Sequence, residues 1–337
     1  MNPISIDFLF ITRGKGWGHS IRDIAIAQEL SRINQNFTMY YASYSDGLEC
    51  YKTKKIKTTI PLPDNKNGQE FSEAIIHLYD MLSPKVVIAD ELVEAEKIAV
   101  RREIPCIFVT NYLEKEEHEK LRSDIVFAEF QDTARFVPEQ VSTNFVGPIF
   151  THYKRTADDV NGKENYILVL LGGSSLDMVK LENIWLLREL FKTEKSEWKW
   201  VVVGKEYQKY FPEMHNVIWK ERQSDLTETI SNCQFAITRG GITTLWEMAY
   251  SRTPFIAVPY SSFVNPMELF YANTMARRGL GIVCTYEDIK GNKLRDWIDY
   301  LCRYCREIGD QMIDKTKIYL KNDGAEIAAK SIADLLE

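Results

Sequence analysis

Three glycine-rich turns hold the residues of this 337-residue chain that could do chemistry. The first reads Thr12-Arg13-Gly14-Lys15-Gly16-Trp17-Gly18-His19-Ser20, where an apolar run ends and a helical pattern begins. Glycines at 14, 16 and 18 let the backbone turn sharply and approach a ligand with no Cβ in the way. The helix start that follows offers free N–H groups to an anion or an acceptor oxygen. His19, at the junction, is a candidate for proton transfer, since an imidazole exchanges its proton near neutral pH. A dinucleotide fingerprint would read G-x-G-x-x-G with an acid about 20 residues on. Here the pattern is G-x-G-x-G-H and Asp46 lies 28 residues past Gly18, which argues against a nicotinamide cofactor.

The second turn is Leu170-Leu171-Gly172-Gly173-Ser174-Ser175, which reads equally as a plain tight turn and as a phosphate loop. The third is the most informative: Thr238-Arg239-Gly240-Gly241-Ile242-Thr243-Thr244-Leu245-Trp246-Glu247. Two glycines turn the chain and Thr243 and Thr244 open a helix, whose positive end suits a diphosphate, with Arg239 as a fixed cation beside it. Glu247 lies one turn further in, where a carboxylate can accept both hydrogen bonds of a ribose diol. Asp90, after Val86-Val87-Ile88-Ala89, reads equally as a helix cap and as a carboxylate of the site.

The elements around these turns alternate. Ile4–Thr12, Phe37–Ser43, 86–89 and 106–109 are strand-like, with helical spacing at Ile21, Ile24, Ala25, Ala27 and Leu30 and again over 94–102. The alternation restarts with strands at 166–171, 200–203, 235–238 and 255–258 and helices at 176–191 and 242–250. The reading is two doubly wound parallel-sheet α/β domains facing across a cleft, with ligands at the carboxyl ends of the strands. The expected boundaries are a first domain over 1–150, a linker over 151–165, a second domain over 166–313, and a helical segment over 314–337 that packs back on the first domain.

Composition excludes several classes. The chain is 45% apolar and 27% charged, values of an ordinary globular protein and not of a disordered one. Its net charge is −6, so the basic footprint of a nucleic-acid binder is missing. The run Tyr51-Lys52-Thr53-Lys54-Lys55-Ile56-Lys57 is a local exception, read as a solvated loop. No window approaches the roughly 18 apolar residues that span a bilayer, which leaves peripheral membrane contact as the membrane option. The first residues have no basic stretch of a signal peptide. Six cysteines without a zinc set, Cys302 and Cys305 included, indicate a reducing, cytoplasmic setting.

Arg239-Gly-Gly-Ile-Thr-Thr-Leu-Trp-Glu247, then Pro254-Phe-Ile-Ala-Val-Pro259 and Asn265-Pro-Met-Glu-Leu-Phe-Tyr-Ala272, resemble the donor half of GT-B glycosyltransferases. The pattern is nearest to the group of the peptidoglycan N-acetylglucosaminyltransferase that makes lipid II. Gly14-x-Gly16-x-Gly18-His19 resembles that group's first glycine loop, and Gly18-His19-x-x-Arg22 is similar to the nucleotide-sugar hydrolase of the pseudaminic acid pathway. The resemblance implies that Glu247 holds the nucleotide ribose. Gly241, Thr243, Thr244, Gly173, Ser174 and Arg239 would hold the diphosphate, and Arg222 and Gln223 the base. Glu268 would read donor sugar hydroxyls, though the group usually has Gln there. His19, or else Asp90, would act as general base, with Gly16, Trp17 and Gly18 as the acceptor-side loop.

The implied activity is an inverting, metal-independent transfer from a nucleotide sugar (UDP or dTDP) to an acceptor hydroxyl, with no cofactor. In agreement, no D-x-D metal motif lies beside the donor strands. The alternatives are a hydrolase on the same scaffold and a non-catalytic nucleotide-sugar-binding subunit. The acceptor, whether small molecule, glycan or lipid-linked, is not fixed by these motifs. Acids at 91, 94, 96, 114, 116, 117 and 119 would suit an amine-bearing acceptor or form a solvated face.

Overall fold

The computed structural model describes residues 4–64, 68–131, 134–151, 164–172, 177–193, 198–222, 226–262, 265–321 and 323–336. The chain divides into two compact units, residues 1–152 with 322–337 and residues 153–321.

In the first unit, β1 (Ile6–Thr12), β2 (Met39–Ser43), β3 (Thr59–Pro61), β4 (Pro84–Asp90), β5 (Cys106–Val109), β6 (Ile125–Ala128) and β7 (Ser142–Phe145) form one sheet. Its order is β3-β2-β1-β4-β5-β6-β7 and every pairing is parallel. The helices are α1 (Gly18–Ile33), α2 (Ser45–Thr53), α3 (Gly68–Leu82), α4 (Val93–Arg101) and the short α5 (Lys115–His118), joined by the C-terminal helix Gly324–Ala333. Strand alternation sorts the core. Leu9, Ile11, Val87 and Ala89 face α3 and α4, whereas Phe8, Phe10, Val86 and Ile88 face α1 and the C-terminal helix. A strand covered on both faces must be apolar throughout, which is why β1 reads as a continuous hydrophobic run.

Sheet order reverses between β1 and β4, and their last residues, Thr12 and Asp90, are register partners. The carboxyl end of such a switch point is where open α/β sheets take ligands.

The second unit repeats the plan. β8 (Tyr166–Leu170), β9 (Lys199–Val203), β10 (Val217–Lys220), β11 (Phe235–Thr238), β12 (Phe255–Ala257) and β13 (Ile282–Val283) form a parallel sheet of order β10-β9-β8-β11-β12-β13. Its helices are α6 (Asp177–Phe191), α7 (Thr227–Asn232), α8 (Ile242–Tyr250), α9 (Pro266–Arg277), α10 (Tyr286–Lys290) and α11 (Lys293–Tyr319). The switch lies between β8 and β11, where Leu170 pairs with Thr238.

Two expectations change. No helical segment begins at 314: α11 runs unbroken to Tyr319 within the second unit, and the Gly324–Ala333 helix belongs to the first. That helix seats Ala325, Ala328, Ala329 and Ile332 in the α1-side core, because small residues at helical spacing let it lie close. The basic run at 51–57 is not simply a solvated loop, since Tyr51 belongs to α2 and is fully buried. Residues 152–163 of the expected linker lie outside the described residues. Among the described residues, no helix is long and apolar enough to cross a membrane.

Candidate active site

The turn after β1 sets up the first constellation. Gly16 has φ +74°, a left-handed conformation that glycine adopts without strain, and its N–H donates to Asp46 Oδ2 at 3.1 Å. Asp46 therefore braces the loop. Trp17 is the N-cap of α1, Gly18 its first residue and His19 its second. On this helix His19, Arg22 and Asp23 stand at i, i+3 and i+4, so they share a face.

That face meets the end of β4. Asp90 is fully buried, and its Oδ1 lies 2.8 Å from His19 Nδ1. Arg22 clamps the same carboxylate from the side, Nε to Oδ2 at 2.7 Å and Nη2 to Oδ1 at 2.5 Å. Its remaining arm donates to Asn111 Oδ1. Burial opposes ionisation of Asp90, but the Arg22 charge and the His19 hydrogen bond outweigh it and hold the carboxyl below its ordinary value. The tautomer that satisfies Asp90 carries its proton on Nδ1 and leaves a lone pair on Nε2. The His19 side chain is 15% exposed.

Directly after Asp90 the chain takes φ +47° at Glu91, a left-handed turn at a non-glycine residue. In an extended strand consecutive side chains point to opposite faces. The turn instead folds Glu91 back onto the same ring, its Oε2 3.7 Å from His19 Nε2 and 3.3 Å from Arg13. Burial would raise the Glu91 carboxyl, but His19, Arg22 and Arg13 hold it below the usual range. Behind this layer, Asp23 is fully buried and accepts from Thr12 Oγ1 and, at 2.8 Å, from Tyr51 OH. Its Oδ1 has no hydrogen-bond partner among the described residues. Burial and the nearby Asp90 charge push its carboxyl well above the ordinary value.

The second constellation is at the end of β11. Gly241 is the N-cap of α8, with no side-chain cap, and the first backbone N–H bonded within the helix is that of Leu245. Among the described residues, the N–H groups of 242–244 are thus the unpaired donors of a helix start. A Cβ at Gly241 would meet nothing within 4 Å among the described residues. Thr243, Thr244, Glu247 and Tyr250 make up the half-buried outer side of α8, while Leu245, Trp246, Met248 and Ala249 anchor the inner side.

Two expected ligand contacts are turned inward instead. Arg239 is 2% exposed. Its Nε and Nη2 donate to Asn183 Oδ1 at 2.9 and 2.8 Å, its Nη1 donates to Val258 O, and its guanidinium lies 4.2 Å from the centre of the Tyr260 ring. It joins α6 to the ends of β11 and β12 and is not presented as a direct diphosphate ligand. A buried guanidinium must satisfy its donors within the protein, and Asn183 supplies that partner. Glu268, expected to read sugar hydroxyls, is 6% exposed and accepts backbone N–H bonds from Tyr260 at 3.0 Å and Gly240 at 3.4 Å. Burial raises its carboxyl to about 7.

Arg222 lies just past edge strand β10, half-buried and 3.6 Å from Glu206 Oε1. Gly173, Ser174 and Gln223 lie outside the described residues. Among the described residues, no group of three His, Cys, Asp or Glu is arranged to hold a metal ion. All six cysteines are free thiols.

Glu91, Asp23, Asn111 and Tyr51 are the members that the sequence motifs did not nominate for the first constellation. Two signals were present: the H-x-x-R-D spacing on α1, and adjacent acids at the end of a buried strand.

Residues 168–317 match the glycosyltransferase family 28 C-terminal domain. A UDP-N-acetylglucosamine–N-acetylmuramyl-(pentapeptide) pyrophosphoryl-undecaprenol N-acetylglucosamine transferase of Thermosipho melanesiensis is 26% identical over 211 residues, 63% of this chain and 57% of that protein. The chain thus spans just over half the length of this curated relative. Among solved structures, the kitacinnamycin glycosyltransferase superposes with a TM-score of 0.68 at 15% identity, covering 99% of this chain and 100% of that one. MurG of Acinetobacter baumannii does so with a TM-score of 0.65 at 16% identity, covering 97% and 99%. The fold is that of GT-B glycosyltransferases: two α/β units, each on a parallel sheet.

Proposed function

We propose that this chain is an inverting, metal-independent glycosyltransferase that moves a sugar from a UDP-sugar to an acceptor hydroxyl. The observation that carries the proposal is the His19–Asp90 pair at the carboxyl end of the β1–β4 switch, 2.8 Å apart and locked by Arg22. Asp90 fixes the ring and its tautomer, so Nε2 is the atom that takes the proton as the acceptor oxygen attacks the anomeric carbon. The carboxylate also stabilises the imidazolium so formed, as the acid of a catalytic triad does.

The departing diphosphate gains charge as the glycosidic bond breaks. The α8 N-terminus offers fixed N–H donors and a positive helix end for that charge, which is stabilisation that needs no divalent cation. Arg239 adds its field from behind the turn without touching the ligand. Glu247 is assigned the ribose, one helical turn from those donors. The family 28 match over the second unit and the UDP-sugar named for the Thermosipho relative support this donor assignment.

A hydrolase reading rests on one feature, Gly18-His19-x-x-Arg22, whose histidine and arginine here act on one carboxylate. Incubation with a panel of UDP- and dTDP-sugars, with and without candidate acceptors and in the presence of EDTA, separates the readings. Transferred product without metal supports the transferase. Free sugar released at the same rate whether or not acceptor is present supports the hydrolase, and an absolute Mg²⁺ requirement overturns the metal-free mechanism.

A further inference from the structure

The β11–α8 turn already has an anion beside it. Glu268, from the first turn of α9, points its Oε2 at the N–H of Gly240, immediately before the N-cap of α8, and at the N–H of Tyr260. The packing is close: a Cβ on Gly240 would lie 2.5 Å from Glu268 O and 2.7 Å from Glu268 Cβ, so only glycine lets the turn and α9 touch here. A helix start that is to receive a diphosphate therefore carries a carboxylate that repels it.

We propose that Glu268 makes nucleotide binding proton-linked: when a diphosphate occupies the α8 N-terminus, the Glu268 carboxylate takes a proton from solvent. The inference rests on the nucleotide reading of that site and adds its regulation by pH. Protonation removes the like charge and turns the carboxyl into a hydrogen-bond donor, while the carbonyl oxygen can still accept from the two backbone N–H groups.

The charged and titratable groups around Glu268 come from three directions. Arg239 lies at the β11 end, Tyr260 follows β12, and Glu182 comes from α6, where it accepts from Tyr286 OH of α10 at 2.6 Å and from Ser261 N–H at 3.1 Å. Burial lifts the Glu268 carboxyl to about 7 and Glu182 adds to the rise, while the backbone donors and Arg239 pull the other way. The group is thus divided between its two forms near neutrality, and added negative charge favours the protonated one.

The sign follows from linkage. The liganded protein binds the proton more tightly than the free protein, so affinity is greatest below pH 7 and falls as pH rises through and above it. UDP itself complicates readings below pH 7, because a terminal phosphate titrates near about 6. The experiment is therefore calorimetry of UDP binding between pH 7 and 9, at pH 8 in two buffers of different ionisation enthalpy, for wild type and Glu268→Gln.

The expected result is uptake of roughly half to one proton at pH 8 and an affinity loss approaching about tenfold per pH unit in wild type. Glu268→Gln, which keeps the volume and an acceptor oxygen, should take up none and bind with a pH-independent affinity above that of wild type at pH 9. If the variant fails to fold, the wild-type measurements decide alone. UDP binding with no proton uptake and a flat pH profile overturns the inference and leaves the nucleotide site standing. No UDP binding at any pH overturns both.

Discussion

Arg22 and Arg239 are both 2% exposed, both stand close behind a glycine turn at a sheet switch point, and are partnered in opposite ways. Arg22 spends its charge on a carboxylate, Asp90, within a group that also holds His19, Glu91, Arg13 and Asp23, whose carboxyl burial pushes up. Arg239 spends its donors on neutral groups, the Asn183 amide oxygen and the Val258 carbonyl, and stacks on Tyr260. The difference follows from what each turn has to present. Moving a proton needs one ring nitrogen held in one tautomer, and a buried ion pair supplies that rigidity. Receiving an anion needs open backbone donors and a positive field, and an arginine held by neutral partners leaves its field in place. In the proposed reaction the first unit thus works through side chains, and the second through the start of a helix.

Several measurements would break or sharpen this contrast. The largest effect belongs to His19→Ala, which should lower turnover by about 10² to 10⁴ while leaving UDP affinity within about twofold. Saturating-donor kinetics and calorimetry check it, with Asp90→Asn as the companion. Near wild-type turnover in His19→Ala would move the base to another group, Asp90 first, and a parallel loss of UDP binding would erase the division of labour.

The two arginines can be compared directly by volume-conserving changes. Arg22→Met leaves Asp90 buried without its cation, and breaking such a pair costs about 3–5 kcal/mol. Arg239→Met strands only neutral acceptors, at about 1–3 kcal/mol. Urea unfolding midpoints measure both, and equal losses would mean that the partners do not differ as described.

Glu247→Ala should weaken UDP at least about tenfold, since hydrogen bonds to a charged group are each worth roughly 1.5–3 kcal/mol. It should leave turnover at saturating donor much less affected than His19→Ala does. Unchanged UDP affinity would remove the ribose assignment.

The smallest effect is on stability. The folded Asp23 carboxyl lies above its unfolded value, so folding takes up a proton there and wild-type stability is lost as pH rises above the ordinary carboxyl range. Asp23→Asn, neutral at every pH, should therefore raise the melting temperature by a few degrees at pH 8 and by less at pH 5. An equal shift at both pH values would show that Asp23 is not a buried neutral acid.

Much of the framework was readable from local pattern. β5, β11 and α8 run from 106 to 109, 235 to 238 and 242 to 250 as their hydrophobic spacing predicts. The weaker elements escaped: β3 is three residues with a half-buried pattern, and β10 is an edge strand with an exposed Ile218, so neither shows a clear period. The continuity of α11 was hidden by its polar composition, since buried positions such as Leu294, Ile298, Leu301 and Cys305 are spaced among charged residues.

The sequence by itself determined where the chain turns from strand to helix, and with that the placement of His19, Asp90, Gly241 and Glu247 at the carboxyl ends of parallel strands. Backbone conformation is a local property, set by glycine at the turn and by apolar period on either side. Only the tertiary structure decided what the ionisable side chains do there. His19 and Asp90 are 71 residues apart and Arg239 and Asn183 are 56 apart, so neither partnership is written in a local motif. Inside a protein a charge is tolerated only where a partner replaces lost water. Packing of distant elements chose those partners: it turned Arg239 and Glu268 inward, folded Glu91 onto His19, and left Asp23 without a cation of its own.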